Sequence, residues 1–164
     1  MLRLSKKADY ALMAMKHLAV RGDRGPRGAM GPVGAHGALG ASSAREIAEQ
    51  YDIPLELMAK VLQRLVRRGL LVSHQGTHGG YQLARGPAQI TVADVIQAIE
   101  GPVTVTACST DDGQCEQFAK CNVRDPLFRV RERILAALGE CTIAELASEP
   151  TPVPVRAAVL HTHI

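Results

Sequence analysis

The first apolar pattern of the chain has helical spacing. Residues 4–20 carry a stripe suited to one face of a helix that Ser5 would cap, and it consists of Ala8, Ala11, Leu12, Met15, Leu18 and Ala19. Residues 22–41 then lose this periodicity and contain seven glycines and two prolines. We interpret residues 22–41 as a flexible, glycine-rich surface loop inserted between two helices.

Two further helical patterns are separated by a tight turn. Ser43 and Glu46 form a capping box that begins a second helix, which reaches about residue 51. The turn at residues 52–54 leads into a third helix, with its proline at an early helical position, and Gly69 ends that helix. The apolar face of the third helix consists of Met58, Val61, Leu62 and Leu65. Two short helices joined by such a turn predict a helix-turn-helix.

Two short β-type runs follow the predicted helix-turn-helix. Residues 70–73 and 81–83 have the composition of strands, and the glycine-rich residues 75–80 between them predict a turn. A hairpin in this position is the wing of a winged helix. The predicted fold class is therefore mainly α, with a winged helix-turn-helix DNA-binding domain over residues 1–100 that has a small β-hairpin wing.

The C-terminal part contains three more helical patterns. Thr91 and Asp94 cap a helix that ends at Gly101, and a loop over residues 101–125 contains three cysteines. Residues 126–149 predict a long helix that begins at Pro126 and a short helix that Thr142 and Glu145 cap. The apolar stripe of the long helix is Leu127, Val130, Ile134 and Leu138. Residues 150–164 are predicted to be a disordered tail.

The long C-terminal helix is the predicted dimerisation element. A single apolar stripe usually packs within its own chain. One small DNA-binding module, however, gains affinity when two copies read two half-sites. We therefore favour a homodimer formed through this helix, with a closed two-fold interface.

Charge is distributed unevenly along the chain, whose formal net charge is +3. Residues 1–75 contain twelve Lys and Arg against six Asp and Glu, whereas residues 108–125 contain two against four. A basic half favours contact with phosphates. Single-strand binders need aromatic stacking platforms, and this chain has no Trp, three Tyr and two Phe. The predicted partner is double-stranded DNA; a winged helix used only for protein contacts is the alternative.

Exposed polar residues of the third helix and the wing are the candidate DNA contacts. Amide and cationic side chains on a helix in the major groove reach base edges, and the predicted base contacts are Lys60, Gln63 and Arg64. The cations better suited to phosphates are Lys6, Lys7, Arg67 and Arg68. The wing residues predicted to contact the adjacent minor groove are Gln75, Thr77 and His78.

Three of the four cysteines lie close together. Cys108, Cys115 and Cys121 have the spacing C-x6-C-x5-C in a polar stretch. Thiolates hold iron–sulfur clusters, sometimes with one ligand that is not cysteine. Structural zinc normally uses closer pairs, a disulfide switch leaves one cysteine over, and three unrelated buried thiols are the plainest alternative. Cys141 stands apart and is interpreted as a small structural residue.

The remaining composition narrows the class of protein. No run of about eighteen apolar residues predicts a transmembrane helix, and the N-terminus lacks the apolar stretch of a signal peptide. We expect a cytoplasmic protein without a membrane partner, in which thiols stay reduced. No phosphate-binding loop or paired carboxylates appear, and Cys121 has no evident base beside it, so an enzyme is not expected.

Several distinctive segments occur together in this chain: LSKKADYAL (4–12), SAREIA (43–48), GTHGGYQLAR (76–85), ITVADVI (90–96), Glu100-Gly101 and the cysteine triplet. Over most of residues 1–147 they resemble the IscR/NsrR-type winged-helix regulators of bacteria. The resemblance implies a homodimer that crosses its long helices on a palindromic operator. It also implies an iron–sulfur cluster, most often [2Fe-2S], on the three cysteines.

The cysteine spacing and residues 121–124 are most similar to the branch that regulates the SUF iron–sulfur assembly operon. Regulators of this branch are expected to repress assembly genes when clusters are plentiful. The resulting hypothesis is an iron–sulfur cluster-sensing transcriptional repressor. The alternatives are a repressor that senses nitric oxide or redox state, and an electron-transfer or cluster-carrier protein, which the basic winged helix disfavours.

Four positions depart from the family pattern or bear on it. Members of the IscR type place a histidine ligand three residues after the last cysteine, where this chain has Arg124, which does not ligate iron. Other members take an acidic ligand from the first helix of the partner subunit, and Asp9 matches that position; a structural or capping carboxylate is the equal alternative. Gln75 stands where wings usually carry arginine, and Ala59 where glutamate is frequent, so operator sequence is not carried over.

Overall fold

The computed structural model describes residues 4–23, 40–76, 79–102 and 120–148. They form six α-helices, one short 3-10 helix and one antiparallel hairpin. In chain order these are α1 (Lys6–Asp23), α2 (Ala44–Gln50), α3 (Leu55–Arg67), β1 (Leu71–His74), β2 (Gly80–Leu83), the 3-10 helix (Pro87–Gln89), α4 (Val92–Glu100), α5 (Arg124–Glu140) and α6 (Ile143–Ala147). The predicted fold class, mainly α with a winged helix-turn-helix and a small hairpin, is confirmed.

Local capping chemistry begins three of the helices as predicted. Ser43 Oγ accepts a 3.1 Å hydrogen bond from Glu46 N, and Glu46 Oε2 accepts one of 2.8 Å from Ser43 N. The same reciprocal arrangement begins α4 and α6, in the pairs Thr91–Asp94 and Thr142–Glu145. Each capping box satisfies two backbone donors that a helix start otherwise leaves free.

Several predicted boundaries are wrong by a few residues. α1 continues to Asp23, so the predicted loop at 22–41 began two residues too early. Pro54 is the N-cap of α3 and not a residue of its first turn. α5 begins at Arg124, so Pro126 lies in its first turn. Proline is tolerated there because the first turn of a helix does not use the N–H that proline lacks. Most of the glycine-rich insertion (24–39) and the predicted disordered tail lie outside the described residues.

The core forms where α1, α3, α4 and α6 meet. The predicted stripe of α1 is buried except for Leu12, which is half-buried, and the whole predicted stripe of α3 is buried. These side chains pack with Ile47 of α2, Leu71 of β1 and Ile143 of α6. Full burial of each large aliphatic side chain stabilises the fold by about 1.5–3 kcal/mol.

The wing is attached to the segment that precedes α2. β1 and β2 pair with Leu71 opposite Leu83, and Tyr81 exchanges two backbone hydrogen bonds with Ser42, of 2.9 and 3.1 Å. Gly80 permits this approach, because a Cβ at that position would lie 2.7 Å from the Ser42 carbonyl oxygen. The hairpin is therefore held by the body of the domain on one side.

The two C-terminal helices differ in how they pack. Two backbone hydrogen bonds return the start of α6 to the core. Ile143 N donates to Ile90 O at 2.9 Å, and Cys141 O, just before α6, accepts from Val92 N at 2.8 Å. α5 packs against α4 but buries no residue completely. Phe128 and Val130 are 54% and 45% exposed. No helix within the described ranges is both long enough and apolar enough to cross a bilayer.

Candidate functional site

The recognition helix of the winged helix is α3, because it is the second helix of the helix-turn-helix. The turn before it contains Asp52, whose φ of 51° is one that aspartate tolerates better than most residues. The inner face of α3 is buried, while Lys60, Gln63 and Arg67 are exposed. The fold therefore presents polar and cationic side chains of α3 away from the core, as a major-groove helix requires.

The structure brings five of the predicted DNA contacts into one cationic groove. This groove has a volume of about 730 Å³ and is formed by the start of α1, by α3 and by the end of α4. Its cationic side chains are Lys6, Lys7, Lys60, Arg64 and Arg67. Across the described part of the chain, none of the five lies within 4.0 Å of a carboxylate oxygen as an ion pair. Their charge remains available to an anionic partner.

Two of the groove residues have polar contacts that the sequence did not predict. Arg64 Nε donates a 2.9 Å hydrogen bond to the backbone carbonyl of Ala98 in α4. Glu100, the one acidic residue that lines the groove, accepts a 2.6 Å hydrogen bond from the backbone N–H of Ser5. The end of α4 is thus connected to α3 and to the start of α1.

The other predicted contacts lie elsewhere. Arg68 lines a separate depression of about 390 Å³ with Arg85 and Asp94, so it is not part of the cationic groove. Gln63 and Gln75 are exposed, the latter next to the exposed His74 at the end of β1. Thr77 and His78, the other predicted wing contacts, lie outside the described residues.

Sequence reasoning missed a polar cluster around His17 in α1. The imidazole contacts Tyr51 OH through Nδ1 at 3.3 Å and Ser42 Oγ through Nε2 at 3.2 Å. Ser42 is completely buried and pairs with Tyr81 of the wing, so the cluster joins α1, the end of α2 and the hairpin. The only signal in the sequence was a histidine beside the apolar stripe of α1.

Burial lowers the pKa of His17 below its ordinary value of 6.5, and the positive charge of Arg21 lowers it further. The carboxylate of Glu46 opposes this effect. Glu46 has a lowered pKa of its own, chiefly because the backbone N–H of Ser43 donates to it. His17 is therefore more readily kept neutral in the folded protein than in the unfolded chain.

Of the predicted cluster ligands, Cys121 and Asp9 lie within the described residues. Cys121 is half-buried, forms no disulfide and stands just before α5. Asp9 is exposed in the first turn of α1, and its carboxylate has no hydrogen-bond or ion-pair partner within the described ranges. Cys108 and Cys115 lie outside the described residues, and the described ones contain no group of three or more His, Cys, Asp or Glu suited to a metal ion.

The chain matches a known protein family. The model of the Rrf2 family, described as an iron-dependent transcriptional regulator, matches residues 4–149. The chain belongs to the Rrf2 family. It is 30% identical over 145 residues to the HTH-type transcriptional regulator IscR of Xenorhabdus nematophila, which covers 88% of this chain and 79% of that protein. It is 28% identical over 162 residues to IscR of Escherichia coli, with coverage of 99% and 90%.

Known structures agree with this assignment. The chain resembles CymR, the global cysteine regulator of B. subtilis, with a TM-score of 0.66, 30% identity and coverage of 90% and 98%. It resembles IscR of T. potens with a TM-score of 0.61, 26% identity and coverage of 88% and 85%. The protein is therefore an Rrf2-family, IscR-like transcriptional regulator that binds DNA, and its relatives are not enzymes.

Proposed function

We propose that this Rrf2 protein is a homodimeric repressor that responds to an iron–sulfur cluster and controls cluster-assembly genes of the SUF type. The observation that carries the proposal is the cysteine triplet, C-x6-C-x5-C, in a chain that matches an iron-dependent regulator family. Similarity to the IscR proteins supports the same function. The cytoplasmic location expected from the sequence belongs to this proposal.

The donor chemistry of the chain fits such a cluster. Three thiolates are the ligands that iron–sulfur clusters use, and the Cys121 thiol is free and half-buried. We propose Cys108, Cys115 and Cys121 as ligands and Asp9 of the partner subunit as the fourth. When bound, the cluster supplies redox-active iron whose presence depends on iron and sulfide supply. The cluster type is proposed as [2Fe-2S] by resemblance to the family.

The DNA-binding arrangement follows from the exposed side chains of α3. Lys60 and Gln63 would meet base edges in the major groove, while Lys6, Lys7 and Arg67 would neutralise phosphates. The wing would place Gln75 near the adjacent minor groove. Because counterions are released when phosphates are neutralised, the logarithm of the operator binding constant should fall linearly with the logarithm of the salt concentration.

The dimer is proposed to form through α5. The N-cap residue Val123 and the helix residues Phe128 and Val130 are 51%, 54% and 45% exposed, and apolar surface of this kind favours a protein partner. A second copy packed with two-fold symmetry would cover both faces at once. Two recognition helices related in this way read a palindromic operator with two half-sites.

Removal of single cysteines tests the cluster. Anaerobically purified wild-type protein should show visible absorption from the cluster, and Cys108→Ala, Cys115→Ala and Cys121→Ala should each lose most of it. Cys141→Ala is the matched control, because its thiol lies outside the triplet, and it should keep the wild-type spectrum. If the three variants all absorb as wild type does, the cluster assignment is wrong.

A second candidate is a regulator that responds to thiol oxidation without any cluster. Similarity to CymR, a global cysteine regulator, favours it. This candidate predicts a colourless protein under strict exclusion of air. Its affinity for duplex DNA would then change on treatment with an oxidant, and the same cysteine substitutions would abolish that change.

A further inference from the structure

The last turn of α4 contacts both elements that line the cationic groove with it. The carbonyl oxygen of Ala98 accepts the 2.9 Å hydrogen bond from Arg64 Nε, and Glu100 Oε1 accepts the 2.6 Å hydrogen bond from Ser5 N. Arg64 belongs to the recognition helix, and Ser5 directly precedes α1. One helix end is therefore connected to the two elements that carry most of the predicted DNA contacts.

The Ala98 carbonyl needs a donor from outside α4. It is one of the last four carbonyls of the helix, which have no donor further along the helix. Terminal turns satisfy some of these carbonyls, as the 3.0 Å bond from Gly101 N to Gln97 O does. Ala98 is 5% exposed, and the last turn of α4 contains no basic residue. The Arg64 guanidinium supplies both the donor and the positive charge that a helix C-terminus favours.

An arginine held in this way is poorly placed to read a base. Nε is the donor nearest to the main chain, so its hydrogen bond restricts the orientation of the whole planar guanidinium. A bidentate guanine contact needs that plane to face the base edge. Gln63, the preceding residue on α3, is exposed and has no such contact with α4 within the described ranges. Gln63 and Lys60 therefore remain the better candidates for base contact.

α4 also contacts the proposed dimerisation helix. Packing contacts join α4 to α1, to α3 and to α5. A shift of α5 against α4 would therefore reach the recognition helix through the last turn of α4. The hydrogen bond of Arg64 lies on that route and joins two residues that are 34 positions apart in the chain.

We propose that Arg64 is a positioning residue: it holds α3 against the last turn of α4 and thereby orients Lys60 and Gln63 toward the DNA. This inference rests on the DNA-binding role of α3 in the proposed function. It replaces the base contact that the sequence predicted for Arg64.

The test compares Arg64→Ala and Arg64→Lys with wild type in duplex binding. The probes are an operator selected from random duplexes with the wild-type dimer, its single base-pair variants, and a scrambled duplex. Both substitutions should weaken operator binding by about tenfold, the order expected when one hydrogen bond to a charged group is lost. Discrimination should relax together at the base pairs that Lys60 and Gln63 read, while scrambled-duplex affinity and the salt dependence stay at wild-type values. Gln63→Ala is the comparator and should relax discrimination at one base pair.

Three other outcomes would overturn the positioning role. Loss of discrimination in Arg64→Ala at one base pair alone, different from the base pair that Gln63→Ala affects, would make Arg64 a base contact. A salt dependence reduced by about one unit of slope, restored in Arg64→Lys, would make it a phosphate contact. Equal loss of operator and scrambled-duplex affinity with a lowered melting temperature would make its role merely structural. If the wild-type protein binds no duplex at all, the proposed function is contradicted as well. That result differs from the three above because it concerns the wild-type protein and not the Arg64 variants.

Discussion

The body of the domain and α5 bury their apolar residues to very different degrees. α1, α3 and α4 supply a contiguous core that includes Met15, Leu62 and Val95, each 0% exposed. α5 is seventeen residues long and has no buried residue, although Phe128 and Val130 are large and apolar. The winged helix buries its apolar residues within one chain, whereas α5 does not, and this difference supports the proposal that a second copy packs on α5.

The largest expected effect comes from placing charges at the exposed apolar side chains of α5. Phe128→Glu combined with Val130→Glu should leave the winged helix folded, because neither side chain belongs to the core. Burial of unpaired carboxylates at a symmetric interface costs several kcal/mol, so dimer affinity should fall by roughly a thousandfold. Sedimentation should report a monomer, and circular dichroism should report unchanged helix content.

Glu132→Gln and Arg133→Gln on the same helix are the matched controls, since both residues are exposed and polar. They should keep the wild-type sedimentation behaviour. A doubly charged variant that still sediments as a dimer would show that Phe128 and Val130 do not lie in the contact between subunits.

A Gly→Ala substitution should lower the free energy of unfolding in the body of the domain and raise it in α5. At Gly80 the added Cβ would lie 2.7 Å from Ser42 O, so the wing must move away from the body. Overpacking of this kind costs about 1–3 kcal/mol. At Gly139 in α5 no atom lies within 4 Å of the added Cβ, and alanine should stabilise the helix by about 0.5–1 kcal/mol. Urea unfolding at one fixed protein concentration measures both changes.

Gly80→Ala should also weaken operator binding through displacement of the wing, and Gly139→Ala should not. Equal stability changes at the two positions would contradict the close contact between Gly80 and the segment before α2.

The smallest expected effect is a pH dependence in the stability of the body of the domain, which originates at His17. Because its pKa is lowered in the folded state by burial and by Arg21, the unfolded chain binds the proton more readily. The contribution to stability is thus complete above the ordinary pKa of 6.5 and is lost as the pH falls below it. His17→Asn keeps a polar side chain without this titration and should flatten the dependence between about pH 7 and pH 5, a window set by the ordinary histidine pKa.

His74→Asn is the matched control, because His74 is exposed at the end of β1. It should retain the wild-type slope in thermal melting across the same window. A wild-type slope in His17→Asn would assign the pH dependence to other groups.

The fold was predictable where local rules decide it. The capping pairs at residues 43, 91 and 142, the stripe of α3 and the wing all follow from helical or strand periodicity and from nearby hydrogen bonds. Boundaries failed where proline is tolerated at a helix start, as at Pro126 of α5. A spacing rule does not distinguish the first turn of a helix from the loop before it.

The polar contacts of the candidate site were less predictable. Arg64 and Ala98 are 34 positions apart, and Ser5 and Glu100 are 95 positions apart, so neither contact has a local signal. Five of the cations predicted from charge and helical position line one groove, and their meeting there is a consequence of tertiary packing. The contact of His17 also has no local signal, because its partner Ser42 lies beyond the glycine-rich insertion.

Native mass spectrometry of the anaerobically purified protein tests the central claim most directly. The account predicts a mass of two chains with additional iron and inorganic sulfide, and loss of that additional mass in the Cys121→Ala variant. A single-chain mass without iron or sulfide, unchanged after reconstitution with ferrous iron and sulfide, would contradict it.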